Sequence, residues 1–239
     1  MTHEMATVDT SLMIPALFVL FIVAAATAAY VQYYLKKKRR EEIATMARQL
    51  GLSYTRDDVV GLLGYPFALF RKGDGRGTEN LLTGTWQGLP IVESDYWYYD
   101  ESTDSEGHQS KTYHYFSTAI VKMEAFGSPL TISREDIFTK LADHMGLPDI
   151  QFETEEFNKA FNVKCKDGKF ANDIIDQRMM QWLLAAGKEW SFEVSGQDIL
   201  VFCRRRKPMD LLPLLGTAKG FMDHIPRVVY ELYGPGAQQ

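Results

Sequence analysis

Cysteine is scarce in this chain. There are two, Cys165 and Cys203, in 239 residues, and their spacing matches neither a zinc site nor a redox pair. That excludes a disulfide-stapled scaffold, and in a reducing compartment both read as partly buried thiols. The common catalytic signatures are missing too: there is no Gly-x-Ser-x-Gly elbow and no His-Glu-x-x-His pair. Gly73-Asp74-Gly75-Arg76-Gly77 is glycine-rich, but Thr78-Glu79-Asn80 leads into a strand, whereas a phosphate loop opens a helix. A hairpin turn is the expectation there. Catalytic groups often converge from distant positions, so an enzyme is not excluded. The sequence nevertheless singles out no catalytic residue, no cofactor and no metal ligand set, and a non-catalytic role is the preferred reading. His108 and His114, with Asp95, Asp100, Asp104 and Glu106 nearby, lie across a polar loop that offers no fixed frame for three or four ligands.

Charge is absent over one long stretch. Leu12 to Leu35, LMIPALFVLFIVAAATAAYVQYYL, holds no Asp, Glu, Lys or Arg, and about 20 such residues suffice to cross the hydrocarbon core as a helix. Pro15 falls in the first turn, where its missing N–H costs little. Tyr30, Tyr33 and Tyr34 cluster at the far end, suited to the headgroup layer. Basic residues are also lacking before this stretch, which is preceded by Glu4 and Asp9 and followed at once by Lys36, Lys37, Lys38, Arg39 and Arg40. A cleaved signal peptide has its positive charge on the other side. The asymmetry predicts a single-pass anchor with its N-terminus outside and the rest of the chain cytoplasmic, in an inner or plasma membrane.

Glu4 and Asp9 contribute −2 and Lys36–Arg40 contribute +5 to the chain's −5, so the remainder carries −8. An acidic remainder argues against nucleic acid as a partner. Two basic clusters stand out against it. Lys36–Arg40 read as a topology signal and as a contact for anionic lipid, at about 1 kcal/mol per residue. Arg204, Arg205 and Arg206, with Lys207, follow a strand and are candidates for an acidic partner or the same leaflet. Ala24, Ala25, Ala28 and Ala29 give a small-x-x-x-small stripe through which the anchor would pair as a homodimer.

The chain divides accordingly into a tail at 1–11, a membrane helix at 12–35, a basic juxtamembrane helix at 36–50, an α+β domain at 51–233 and a flexible tail at 234–239. Ile43, Met46, Ala47 and Leu50 continue the helical spacing, and Gly51 ends it. Strand patterns fill Phe67 to Ser133: Ala68–Arg71, Leu81–Trp86, a Gln87-Gly88 turn, Ile91–Tyr99, a polar loop over Asp100–Ser110, Tyr113–Met123 and Leu130–Ile132. Together they predict an antiparallel meander with packed helices. A helix is expected from Ser133 to Gly146, a short acidic one over Thr154–Phe161, a strand over Asn162–Lys166, and a helix around Ile175–Ala186 broken near Asp176. Trp190–Val194 and Ile199–Cys203 read as a hairpin through Gly196. Leu211–Tyr233 reads as a helix interrupted by Pro226.

The run Asn80-Leu81-Leu82-x-Gly84, then Gly88-Leu89-Pro90-Ile91-Val92 and Tyr96–Tyr99, resembles a family of bacterial membrane-anchored proteins known only as a domain of unknown function. So do Glu153-x-x-x-Phe157-Asn158-x-x-Phe161-x-Val163, Ala171, Met179-Met180 and Ile225-Pro226, in the same order. The resemblance implies a cytoplasmic-facing α+β domain on one or two spans and brings no catalytic residue. Trp97 and Tyr99, exposed-looking beside an acidic loop, are with Arg204–Arg206 the candidates for binding a protein partner or lipid headgroup. An unrecognised membrane-tethered enzyme and a self-associating structural protein are the alternatives.

Overall fold

The structure, a computed structural model, describes residues 13–134 and 146–236. Most of the helix expected between Ser133 and Gly146 lies outside those residues, as do the tail at 1–11 and the end of the tail at 234–239. The chain separates into two compact units, Met1–Glu42 and Ile43–Gln239.

In the first unit the described residues form most of helix α1, Met13–Leu50. It is long and apolar enough to cross a membrane. Its apolar side chains, Leu17, Phe18, Phe21 and Val31 among them, are exposed. Such a surface needs lipid or a partner around it. Glu41 and Glu42 reach back one turn to Lys37 and Lys38, each at 3.9 Å. Exposed i,i+4 pairs of this length contribute little.

The second unit is α+β. Its strands are β1 Ser53–Thr55, β2 Gly75–Trp86, β3 Leu89–Thr103, β4 Gln109–Ser133, β5 Asp149–Ile150, β6 Asn162–Cys165 and β7 Ser191–Arg204. Its helices are α2 Glu155–Ala160, α3 Gly168–Ile174, α4 Gln177–Ala186, α5 Leu212–His224 and α6 Arg227–Tyr233. All pairings are antiparallel, in the order β1-β2-β3-β4-β6-β5, with β7 also on β4. The β2–β3 turn is the one expected: Gln87 and Gly88 have φ of 48° and 80°, the left-handed pair that matches strand twist in a two-residue hairpin. Asp176 accepts from the Met179 N–H and separates α3 from α4. Pro226 separates α5 from α6.

Strand β4 is the spine, pairing β3 along its first half, β6 near its end, and β7 along both halves. Leu130–Ile132 is its end rather than a separate strand. The expected hairpin at Gly196 is instead one continuous strand, β7, in which Gly196 has φ 60°. Gly196 sits opposite Gly127, where the β4 register also shifts. The inward parity changes in both strands there, so inward residues pass from Ala119, Val121 and Met123 to Leu130 and Ile132, and from Ile199 and Val201 to Val194 and Phe192. A bulge restores the apolar face after a bend.

The two sheet faces are covered differently. One packs on α2–α6 and the end of α1 through a large core including Ile43, Val121, Phe157, Phe192, Leu215 and Phe221. The other receives the 56–72 segment, whose Leu62, Phe67, Leu69 and Phe70 bury against Tyr96, Tyr98, Phe116, Ile120, Leu200 and Phe202. Ala68–Arg71, read from sequence as strand, is for the most part a single 3-10 turn over Leu69–Arg71. The buried Glu193 carboxyl accepts from the Ala68 and Leu69 N–H groups, and the Tyr96 hydroxyl donates to the Leu69 carbonyl at 2.8 Å. Long-range bonds from β7 and β3 thus replace the strand neighbours this segment lacks.

The motifs that carry the resemblance serve this architecture. Asn80, at φ 59° in a β2 bulge, donates to Asp95 at 2.8 Å and accepts from the Tyr54 hydroxyl at 3.0 Å. Asn158 bridges to both backbone groups of Phe152, and Phe157, Phe161 and Val163 are core.

Candidate binding surface

Strand alternation sorts the β3 aromatics. Tyr96 and Tyr98 are buried, while Trp97 and Tyr99 point to the opposite face and are half-buried. The polar loop expected over Asp100–Ser110 is shorter than that: the β3–β4 ladder runs on to Thr103 opposite Gln109. Cross-strand contacts hold this end, with the Ser102 and Ser110 hydroxyls at 2.7 Å and Lys111 on Glu101 at 3.0 Å. Asp104 accepts from the Glu106 and His108 N–H groups, and those bonds hold its carboxyl below the usual carboxylate range.

The longer ladder places Tyr115 opposite Trp97 and Tyr113 opposite Tyr99. Four rings line one face. Trp97 stacks on Tyr99 at 6.3 Å between centroids, Tyr113 lies 5.9 Å from Trp97 and 5.2 Å from Tyr99, and Tyr115 lies 6.1 Å from Tyr113. Tyr113 is 47% exposed. On the far side, β2 sets Gly77 beside Trp97 and Gly75 beside Tyr99. A Cβ at Gly77 would come within 2.7 Å of the Trp97 ring, and one at Gly75 would collide with the Tyr99 ring. The rings therefore lie flat over backbone. Two cations complete the strip: Lys111 Nζ stands 4.3 Å above the Tyr99 ring, and the Arg205 guanidinium 4.2 Å above the Tyr115 ring.

Arg205 joins the strip to a second feature. A hollow of about 440 Å³ beyond the end of β7 is lined by Arg134, Lys188, Glu189, Arg204, Arg205 and Arg206, over Cys203. Arg206 is fixed: its N–H donates to Ser117 Oγ at 3.1 Å, its guanidinium pairs with Glu189 at 3.3 Å, and it stacks 4.9 Å above Trp190. Burial raises the Cys203 thiol to about 11, so it is protonated and unreactive at neutral pH. Cys165 is raised by burial as well. Both cysteines are free and buried.

Among the sequence candidates, Trp97, Tyr99 and Arg205 thus come together. Arg206 adjoins them through the hollow. Arg204, opposite Phe116 in the ladder, is exposed and belongs to the lining of the hollow but not to the strip. Sequence reasoning missed Tyr113, Tyr115, Arg134 and Lys188. The first two carried a signal, the Tyr-x-Tyr alternation facing Trp-x-Tyr across a hairpin; Arg134 and Lys188 carried none. Among the described residues no three His, Cys, Asp or Glu side chains form a metal-sized group. His108 lies by Asp104 and Glu106, His114 by Asp100, and Asp95 by Asn80. His224 caps α5 on the Gly220 carbonyl and stacks on Trp182. The Gly73–Gly77 run is not a hairpin turn but a tethered entry into β2, with Arg76 donating to the Phe70 and Gly73 carbonyls.

No protein-family profile matches the sequence, and no curated protein is similar to it in sequence. In fold it is similar to the crystal structure of the mycobacterial trehalose monomycolate transport factor A, TtfA, with a TM-score of 0.52 and 13% identity. The superposition covers 79% of this chain and 96% of that one.

Proposed function

We propose that this chain is a single-pass membrane protein whose α+β domain is a non-catalytic adaptor, facing the cytoplasm and docking a protein through the outer face of the β3–β4 hairpin. It would belong with the bacterial membrane-anchored proteins that its Asn-Leu-Leu-x-Gly and Phe-Asn-x-x-Phe-x-Val motifs resemble. The observation that carries the reading is the half-exposed strip of Trp97, Tyr99, Tyr113 and Tyr115, with Trp97 and Tyr99 laid flat over Gly77 and Gly75. Tyrosine and tryptophan supply large contact area at low entropy cost and are enriched where partners bind. The similar fold belongs to a mycobacterial trehalose monomycolate transport factor, and a part in transport would be compatible with an anchored adaptor. Lys36–Arg40 would hold the root of the domain at an anionic leaflet.

The test is site-specific photocrosslinking of the full chain in its native membrane, with the photoreactive residue at Trp97 or Tyr113 and, as control, at exposed Lys122. A discrete adduct from the strip alone, lost in Tyr115→Ala, supports the reading. Indistinguishable patterns from strip and control sink it. A reporter fused at Gln239 separately tests the cytoplasmic placement.

A further inference from the structure

We propose that the basic hollow at the end of β7 is a binding site for a phosphate monoester or pyrophosphate group. This goes beyond the adaptor reading and needs only a folded domain.

Five cationic side chains and one carboxylate line the hollow, in a chain whose net charge is −5. Glu189 is engaged with Arg206. Among the described residues no carboxylate pairs with Arg134, Lys188, Arg204 or Arg205, although 31 acidic residues are present in the chain. Like charges gathered around a concavity repel one another and focus a positive potential into it. A multiply charged anion relieves that repulsion. The guanidiniums are also pre-set: Arg205 is held by stacking on Tyr115, with its N–H on the Tyr115 carbonyl at 3.0 Å, and Arg206 by Trp190, Glu189 and Ser117. Planar forks fixed in this way match the paired oxygens of phosphate, and little side-chain entropy remains to be lost on binding. The volume, about 440 Å³, suits a headgroup or a small phosphorylated metabolite rather than a folded domain.

The group can arrive free or on a lipid, and two titrations of the full chain in neutral detergent or nanodiscs separate these sources. One uses inorganic pyrophosphate by calorimetry; the other uses nanodiscs with and without phosphatidic acid. Saturable binding in either, weakened about tenfold or more by Arg205→Gln and by Lys188→Gln, supports the site, since each removes one charge-assisted contact. Binding of pyrophosphate identifies a soluble ligand; binding of phosphatidic acid alone identifies a headgroup. Because Arg205 also touches Tyr115, Arg134→Gln, at an exposed position, provides a second variant free of the strip, and thermal melting checks that each variant is folded. No saturable binding to either probe overturns the proposal, as does binding that these variants leave unchanged. Trp97→Ala removes the strip and spares the hollow, so failure of the adaptor reading and of this one are read separately.

Discussion

The two faces of the β3–β4 hairpin carry nearly the same chemistry and meet opposite fates. Tyr96, Tyr98 and Phe116 point one way and are buried under the 56–72 segment. Trp97, Tyr99, Tyr113 and Tyr115 point the other way, and what lies beside Trp97 and Tyr99 in β2 is glycine. The helices on that face cover the sheet from Ile91 and Val121 onward but leave the hairpin's far end open. Aromatic content therefore says little about burial. What packs above each face decides it, and that is a property of distant sequence.

Truncating each face measures the contrast most directly. Phe116→Ala should cost about 3–5 kcal/mol, because a ring is lost from a filled core, whereas Tyr113→Ala should cost about 1 kcal/mol or less. Denaturant unfolding of both variants decides it, and equal costs would show that the outer strip is core as well.

The buried face also contains a titratable clamp. Burial lifts the Glu193 carboxyl from 4.5 to about 7, against the opposing pull of the Leu69 and Ala68 N–H groups and of Lys72 and Arg71. A folded-state value above the unfolded one means the folded domain binds the extra proton between them. Stability is then greatest below about 4.5 and declines as pH rises to about 7, by about 3 kcal/mol if the whole shift is realised. Glu193→Gln should remove that slope, checked by denaturant unfolding at several pH values. A slope that persists in the variant would place its origin elsewhere.

On the outer face, Gly77→Ala should lift the Trp97 ring off the sheet and change the near-ultraviolet circular dichroism of the stacked pair, at about 1 kcal/mol. An unchanged spectrum would show that the ring is not seated there. The smallest effect belongs to Lys111→Ala, which should leave the denaturant midpoint almost unmoved, since its contacts with Tyr99 and Glu101 are exposed.

Features with a local cause were legible in the sequence. The membrane-length helix follows from uncharged length, the Gln87-Gly88 hairpin from turn chemistry, and the breaks at Asp176 and Pro226 from capping and ring geometry. Features set by partners far along the chain were not. Asp100–Thr103 looks like loop because its residues favour no strand, yet pairing with Gln109–Thr112 holds it in one. Gly196 looks like a turn because nothing local reveals that Gly127 bends beside it. Likewise, Trp97 and Tyr99 were readable as one face of an alternating strand, but their neighbours depended on a register that the loop length concealed. The hollow was half legible, through Arg204–Arg206; Arg134 and Lys188 join it only after folding.

The position of β7 governs how the domain can be made. A ribosome delivers β1 to β4 first, and the edge of β4 that β7 occupies stays open until Ser191–Arg204 has emerged. A stop codon, split point or proteolytic cut ahead of Ser191 would therefore leave no smaller stable version of the domain. It would leave β4 with one edge unpaired and would strip the 56–72 segment of the Glu193 clamp and of Leu200 and Phe202 beneath it. The stretch from Ser191 onward is thus the step that commits the residues before it to their final form.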